Sequence, residues 1–419
     1  MTQPVTIGDL TKVFGRIGLL SFGGPAAQIA LMHSELVERQ KWLSEETYLR
    51  ALSLCMLLPG PEAMQLATYA GWRLRGTLGG LLAGLLFVGP GAAVIFVLAL
   101  AYASFGTVPL VQAAFAGIKA VVIVIVLQAL MRLRKTALRT PLAWGLAGAA
   151  FIGLFLFDLP YPLIIAGAAV TGALTADMGQ RHADPPPAKA FHPVPVILTW
   201  AGLWAAPIIM IGLLDHDLLM QISLFFSKLA VVTFGGAYAV LAYMTQTVVA
   251  DYGWITTPQM IDALGLAETT PGPLILVTQF VAMLAGFNED GVGLAILAGA
   301  VTLWVTFVPC FLWIFLAGPY LDQIAAHPRL AAALRAITAA VVGVILNLAL
   351  WFAIHTVFHE TQVITGISSP LPNPALLDLQ ALILTLIAAW MIFVAKRGLG
   401  ETLAILAAAG LICAFLWPL

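Results

Sequence analysis

Residues 14–25 read FGRIGLLSFGGP, and residues 226–237 read FSKLAVVTFGGA. In one register Arg16 stands opposite Lys228, Ser21 opposite Thr233, and Phe22-Gly23-Gly24 opposite Phe234-Gly235-Gly236. The same register aligns Trp42 with Trp254, and Pro59-Gly60-Pro61 with Pro271-Gly272-Pro273. After a small insertion Gly71, Gly76 and Gly84 meet Gly286, Gly291 and Gly299, and after a second Pro90 meets Pro309. Two glycine–proline motifs and a tryptophan held in register mark an internal duplication.

Working outward, the chain has 419 residues, 61% hydrophobic and 9% charged. A soluble domain carries about 25% charged residues, so this chain lacks the polar side chains to cover a water-facing surface. Its apolar runs, such as Gly76–Phe105, Val108–Leu130 (broken only by Lys119) and Gly291–Tyr320, each exceed the ~20 residues of a spanning helix. They do not alternate with period two, which argues for helices rather than a barrel. A net charge of −1 offers no polybasic surface for nucleic acid. Cys55, Cys310 and Cys413 sit singly in apolar stretches and fit neither a zinc site nor a disulfide framework. No HExxH, serine triad, Walker A or dinucleotide loop stands in a fitting context, so the chain reads as neither an enzyme nor an ATP-driven pump, with no cofactor or metal expected. The polar stretch Met1–Lys12 has no hydrophobic core and does not read as a signal peptide.

The expected fold is an all-α integral membrane protein of about thirteen transmembrane helices, with discontinuous helices at the GGP and PGP motifs. Segments carrying those motifs are read as spans, with re-entrant hairpins, which change the count, as the alternative. Residues 1–176 form a first six-segment repeat, and its first segment lies near 13–33. Residues 177–215 form a proline-rich linker and a connecting helix, and 216–419 form a second repeat. An odd segment between two six-segment units inserts them with opposite orientation, an inverted repeat. With a cytoplasmic N-terminus, Lys12, Arg16, Arg73, Arg75, Arg132, Arg134 and Lys135 fall inside. Arg39, Lys41 and Arg50, mixed with Glu35, Glu38, Glu45 and Glu46, then fall outside. That distribution obeys the positive-inside rule and suits a multi-pass protein of a bacterial inner membrane.

Proline removes a backbone donor and clashes with the preceding turn, so two prolines flanking a glycine break a helix. In lipid such a break survives only where protein or a water-filled cavity satisfies the freed groups. The half-helix after it presents free N–H groups and a positive dipole end, which suits an anion. Pro59-Gly60-Pro61 and Pro271-Gly272-Pro273 are one pair of such breaks, and Ser21–Pro25 and Thr233–Gly236 offer a second pair with hydroxyls. Glycine and proline are frequent in spanning helices, and a single break reads as a packing kink. Breaks at corresponding places of two halves point to a binding site. The span from Gly76 to Ser104 would run roughly 43 Å as a straight helix, and Gly89-Pro90-Gly91 is the expected kink.

Cations are expensive inside a membrane. Arg16 and Lys228 hold matched positions before the Ser/Thr-Phe-Gly-Gly motif, and Lys119 lies near the middle of its segment. All three are candidate anion ligands; snorkelling to the headgroups is the plainer reading, most of all for Arg16. Glu62 follows the first PGP and Glu268 lies just before the second. Both are candidates for proton coupling, against a plainer role of pairing with a cation or capping a half-helix. Gln128 and Asn347 are paired amides that read as interhelical hydrogen bonds.

Taken together, FGRIGLLSFGGP, the Glu/Arg-rich loop with Trp42, LLPGPE at 57–62, GTLGG at 76–80 and FVGPGA at 87–92 resemble the chromate transporter (CHR) family. TFGGA and TTPGP are the second-half counterparts, and the length resembles that of the long-chain, two-half members. The resemblance implies export of chromate from the cytoplasm, driven by the proton motive force and conferring chromate resistance. Sulfate, of the same shape and charge, is a second expected ligand, and an oxyanion importer or an anion channel are the alternative functions. Carried over by position, the substrate residues are Arg16, Ser21, Gly23, Gly24, Pro59, Gly60, Pro61, Lys228, Thr233, Gly235, Gly236, Pro271, Gly272 and Pro273, with Lys119 added from its depth. The halves differ where Ala237 replaces Pro25 and Leu274 replaces Glu62, so symmetric binding is not expected. The expected partners are the oxyanion, protons and the lipid bilayer, and a homodimer is compatible with the sequence.

Overall fold

The computed structural model describes residues 5–176, 192–234, 237–321, 327–358, 360–362 and 371–416. Most of the linker, and Gly235 and Gly236 of the second motif, lie outside the described residues. Helices make up nearly all of it: α1 Ile7–Leu20, α2 Gly24–His33, α3 Glu45–Leu57, α4 Glu62–Phe105, α5 Pro109–Ala137, α6 Pro141–Phe157, α7 Tyr161–Leu174 and α8 Pro193–Leu213. They continue with α9 Asp217–Val232, α10 Ala237–Gln246, α11 Thr257–Thr269, α12 Val277–Ala317, α13 Pro328–Val357, α14 Leu379–Ala389 and α15 Leu399–Leu416. Beside them stands a short antiparallel ladder of Thr361–Gln362 with Leu371–Pro372. Among the described residues, five helical stretches are long and apolar enough to cross a membrane: Glu62–Phe105, Pro109–Ala137, Pro193–Leu213, Leu274–Tyr320 and Pro328–Val357. Together with shorter apolar helices they make this a multi-pass membrane protein.

Local chemistry sets the helix ends. A reciprocal pair between Thr6 and Asp9 opens α1, the capping box that satisfies two orphan donors at once. Ser44 caps α3 by accepting from the Thr47 N–H at 3.2 Å, and Asp378 caps α14 through the Ala381 N–H at 2.9 Å.

The long helix α4 is two arms joined by a reversal at Arg75 (φ −141°, ψ 25°) and Gly76 (φ 65°, ψ −158°). In α12 Asp290 (φ −146°, ψ 37°) and Gly291 (φ 70°, ψ −155°) repeat it almost angle for angle. Only glycine takes that second conformation without a steric cost. The arms then lie antiparallel: a Cβ on Gly71 or Gly79 would run into the other's carbonyl oxygen, and one on Gly84 would lie 2.6 Å from Thr68 Oγ1. Pro90 and Pro309 sit inside helices with helical backbone, and the non-helical residues of α4, Arg75 and Gly76, stand at the start of the span in which Gly89-Pro90-Gly91 is the expected kink.

The chain packs into two compact units, each drawing on both halves of the sequence. One comprises Met1–Leu100, Ala176–Val240 and Thr270–Ala331, and the other Ala101–Thr175, Leu241–Thr269 and Ala332–Leu419. In the first, α12 packs on α8 and α9, and Trp200 stacks on Phe311 at 5.5 Å. In the second, α5 is held between α14, α15 and α11. There a Cβ on Gly117 would collide with the Leu406 carbonyl and one on Gly410 with the Ala113 carbonyl. Such small-residue seams bring helices together where lipid leaves no hydrophobic drive to do so.

The path of the first fifty residues favours the hairpin over the span. A single span over 13–33 puts Arg16 on the inner side and Glu35 on the outer side, yet Arg16 Nη1 lies 3.7 Å from Glu35 Oε1. Val5, Thr6, Asp9, Lys12 and Val13 share one depression of about 380 Å³ with Glu35, Gln40 and Trp42. The segment is therefore a hairpin: α1 enters, the chain turns at Ser21–Gly23, and α2 returns to the same side. Arg75, at the far end of the next broken segment, donates through Nε to the Val5 carbonyl. That segment too, α3 and the first arm of α4 joined by Pro59-Gly60-Pro61, begins and ends on one side.

Candidate functional site

The breaks meet in the first unit, and they meet crosswise. Helix α1 stops at Ser21, whose ψ of 65° leaves the helical region. Gly23 (φ 84°) then caps α2, with Pro25 in its first turn. In the second half α9 stops at Thr233 (ψ 89°). The Gly60 N–H donates to the Thr233 carbonyl at 2.9 Å, and the Gly272 N–H donates to the Ser21 carbonyl at 2.9 Å. Each PGP glycine, at φ 116° and 89°, thus closes the break of the opposite half. Neither bond is local in sequence, and each satisfies a donor and an acceptor that a broken helix would otherwise leave open in a water-poor interior.

A second exchange backs the first. The backbone at Gly91 touches the Pro271 carbonyl so closely that a Cβ there would strike it, while a Cβ on Gly60 would lie 2.9 Å from Cys310 Sγ. Gly24 approaches Tyr238 Oη, which would be 3.9 Å from its Cβ, so the two crossed contacts border one locus.

Three glutamines that the sequence reading did not single out serve these breaks. Gln28 Nε2 donates to the Gly272 carbonyl at 2.6 Å and to the Ser21 carbonyl at 3.3 Å. Gln65 Nε2 donates to the Pro59 carbonyl at 2.6 Å, and Gln279 Nε2 to the Ala92 carbonyl at 3.1 Å. All three are buried, and the Oε1 of each is buried without a hydrogen-bond partner. The signal that points to them is an isolated amide in an apolar stretch a few residues from a glycine–proline break.

The expected substrate residues fall into three groups. Ser21, Gly23, Gly24, Pro59, Gly60, Pro61, Thr233, Pro271, Gly272 and Pro273 gather at the crossed breaks. Within that group the hydroxyls face their own helices: Ser21 Oγ donates to the Ile17 carbonyl at 2.6 Å and Thr233 Oγ1 to the Leu229 carbonyl. They therefore present lone pairs, and the donors open to an anion are the first N–H groups of α2, where Gly23, Ala26 and Ala27 are exposed. Arg16 is half-exposed and shares Glu35 with Arg39, Lys228 is exposed on α9, and Lys119 lies in the second unit, 3.3 Å from Asp262. Of the carboxylates, Glu62 is the first residue of α4 and half-buried, and Glu268 is buried at the end of α11.

The chain matches the Chromate transporter family model in two stretches, residues 8–173 and 220–414. It is 31% identical to a probable chromate transport protein of Synechococcus elongatus over 81% of this chain and 83% of that one. It is 32% identical to a chromate transport protein of Cupriavidus metallidurans over 81% of each. A chromate transport protein of Pseudomonas aeruginosa is also 32% identical, over 82% of this chain and 80% of the relative. No solved structure gives a significant match. With two copies of the family pattern covering most of its length, and their break motifs joined crosswise, the chain belongs to the chromate transporter family.

Proposed function

We propose that this chain is a secondary transporter, not an enzyme, that exports chromate from the cytoplasm of a bacterial cell across its inner membrane. The export is coupled to the proton motive force and gives chromate resistance. The observation that carries the reading is the crossed pair Gly60–Thr233 and Gly272–Ser21. Discontinuous helices at matched places of two repeats are where secondary transporters bind their cargo. The helix N-terminus that starts at Gly24 supplies N–H donors and a positive dipole end for a tetrahedral dianion. Arg16, Lys119 and Lys228 supply positive potential, and Glu62 and Glu268 are the coupling carboxylates the sequence proposes.

The hairpins also refine the path. Reading the broken segments of both halves as re-entrant leaves about nine crossings in place of thirteen. Both numbers are odd, so the two halves keep opposite orientation.

The test is uptake of radiolabelled chromate into everted membrane vesicles with an acidic lumen. Gradient-dependent accumulation, inhibited by excess sulfate and reduced in Glu62→Gln or Glu268→Gln, is the expected result. Uptake that only equilibrates, indifferent to the gradient, identifies a channel. No chromate uptake beside gradient-driven sulfate uptake identifies a sulfate transporter on the same scaffold.

A further inference from the structure

Asp262 lies about two turns before the second Pro-Gly-Pro break, on α11. It is 4% exposed, and its Oδ1 is buried without a hydrogen bond. Lys119 Nζ approaches that oxygen at 3.3 Å from α5, and Tyr102 Oη donates to Oδ2 at 2.6 Å from the end of α4. All three belong to the second unit. The contact is set by a tight helix crossing, since a Cβ on Gly265 would lie 2.5 Å from Ile118 Cγ2. The first and second halves of the chain contribute Lys119 and Asp262 respectively. Neither repeats: Thr338 stands in the place of Lys119 and Arg50 in that of Asp262.

A buried ion pair of this kind is a poor device for stability, because desolvation offsets most of its attraction. Inside a membrane ionisable residues mark ion and proton pathways. Lys119 gives the carboxylate a resident counter-charge, so the ionised form does not depend on the cargo for neutrality and adds little to the repulsion a dianion meets. Among the described residues, the other helix packed on α11, α15, carries one charged residue, Glu401, in its first turn and paired with Arg397 at 3.0 Å. The remaining cations of α5 are in its last turns, and Glu268 lies further along α11 itself.

We propose that Asp262 is a proton-carrying carboxylate of the transport cycle, with Lys119 its fixed counter-charge and Tyr102 its positioning hydrogen-bond donor. A proton from the acidic side adds to the carboxylate and leaves the Lys119 ammonium uncompensated; its loss on the other side restores the neutral pair. The inference rests on the transporter reading above and adds a group that it does not contain.

The experiment compares two chromate fluxes in proteoliposomes of the full-length protein: accumulation under a one-unit pH gradient, and exchange counterflow without a gradient. One coupled proton supports about tenfold accumulation per pH unit. Asp262→Asn is expected to abolish accumulation, flatten the pH profile and still exchange chromate. Tyr102→Phe is expected to displace the pH profile along the pH axis, which a merely structural tyrosine would not do. Should Asp262→Asn fold poorly because it strands Lys119, Asp262→Glu keeps the charge pair on a longer side chain and is expected to accumulate chromate with a displaced pH profile. Wild-type-like accumulation together with an unchanged pH profile in whichever of these variants folds overturns the inference. Absence of chromate flux in the wild type overturns the transporter reading instead, so the two failures are distinct.

Discussion

The two Pro-Gly-Pro breaks share a glycine of positive φ and a cross-half hydrogen bond, and have opposite surroundings. At the first, Pro59 and Glu62 are half-buried, and a carboxylate heads the helix that follows. At the second, every residue from Thr270 through Gly286 is buried, and Leu274 stands where Glu62 does. Duplication copied the clasp, and side-chain change then made one copy open and charged and the other sealed. A helix break in a membrane therefore need not be a binding site. The hydrogen bond that satisfies it is shared by both copies, and what faces the gap decides its use.

Four tests break or sharpen that contrast. The largest effect is expected from Leu274→Glu, which gives the sealed break the carboxylate of the open one. Burying a charge without a partner costs several kcal/mol, so no monodisperse protein should elute on size exclusion; a folded, active variant would mean that burial does not distinguish the breaks. Next is Gly91→Ala, whose new methyl meets the Pro271 carbonyl, a backbone atom that cannot step aside. Overpacking of this kind costs about 3 kcal/mol, read as a lower thermal midpoint, whereas Gly89→Ala, with nothing near its Cβ, should leave the midpoint in place. Smaller is Gln28→Leu, which removes a donor shared by two carbonyls at the sealed break and should cost about 2 kcal/mol; Gln65→Leu, with one carbonyl, should cost about half as much. Smallest are Ser21→Ala and Thr233→Val, each worth under about 1 kcal/mol because the hydroxyl serves only its own helix. Their chromate KM should stay at the wild-type value, and a large rise would make the hydroxyls ligands.

Much of this was legible in the sequence. The duplication, the helical membrane class and the places of the breaks follow from glycine, proline and apolar runs. The hairpin of α1 and α2 was not, because its twenty-odd apolar residues satisfy the same length rule as a span and the reversal turns on the conformation of Gly23. The reversal at Arg75 and Gly76 lies between two apolar runs, and its sharpness rests on the positive φ of Gly76, which residue type alone does not fix. The crossed hydrogen bonds join backbone groups of residues far apart, on which no side-chain pattern reports. Asp262 was passed over for the same reason: its meaning comes from Lys119 in the other half.

The crossed clasp has a consequence for biosynthesis. A ribosome feeding this chain into the membrane releases Gly60 long before Thr233 exists, and Ser21 long before Gly272. Until the second repeat arrives, the first sits in lipid with an unpaired Gly60 amide and with its Ser21 carbonyl held by Gln28 alone, a half-finished product that the insertion machinery must shelter. The last third of the message, in that sense, completes the first.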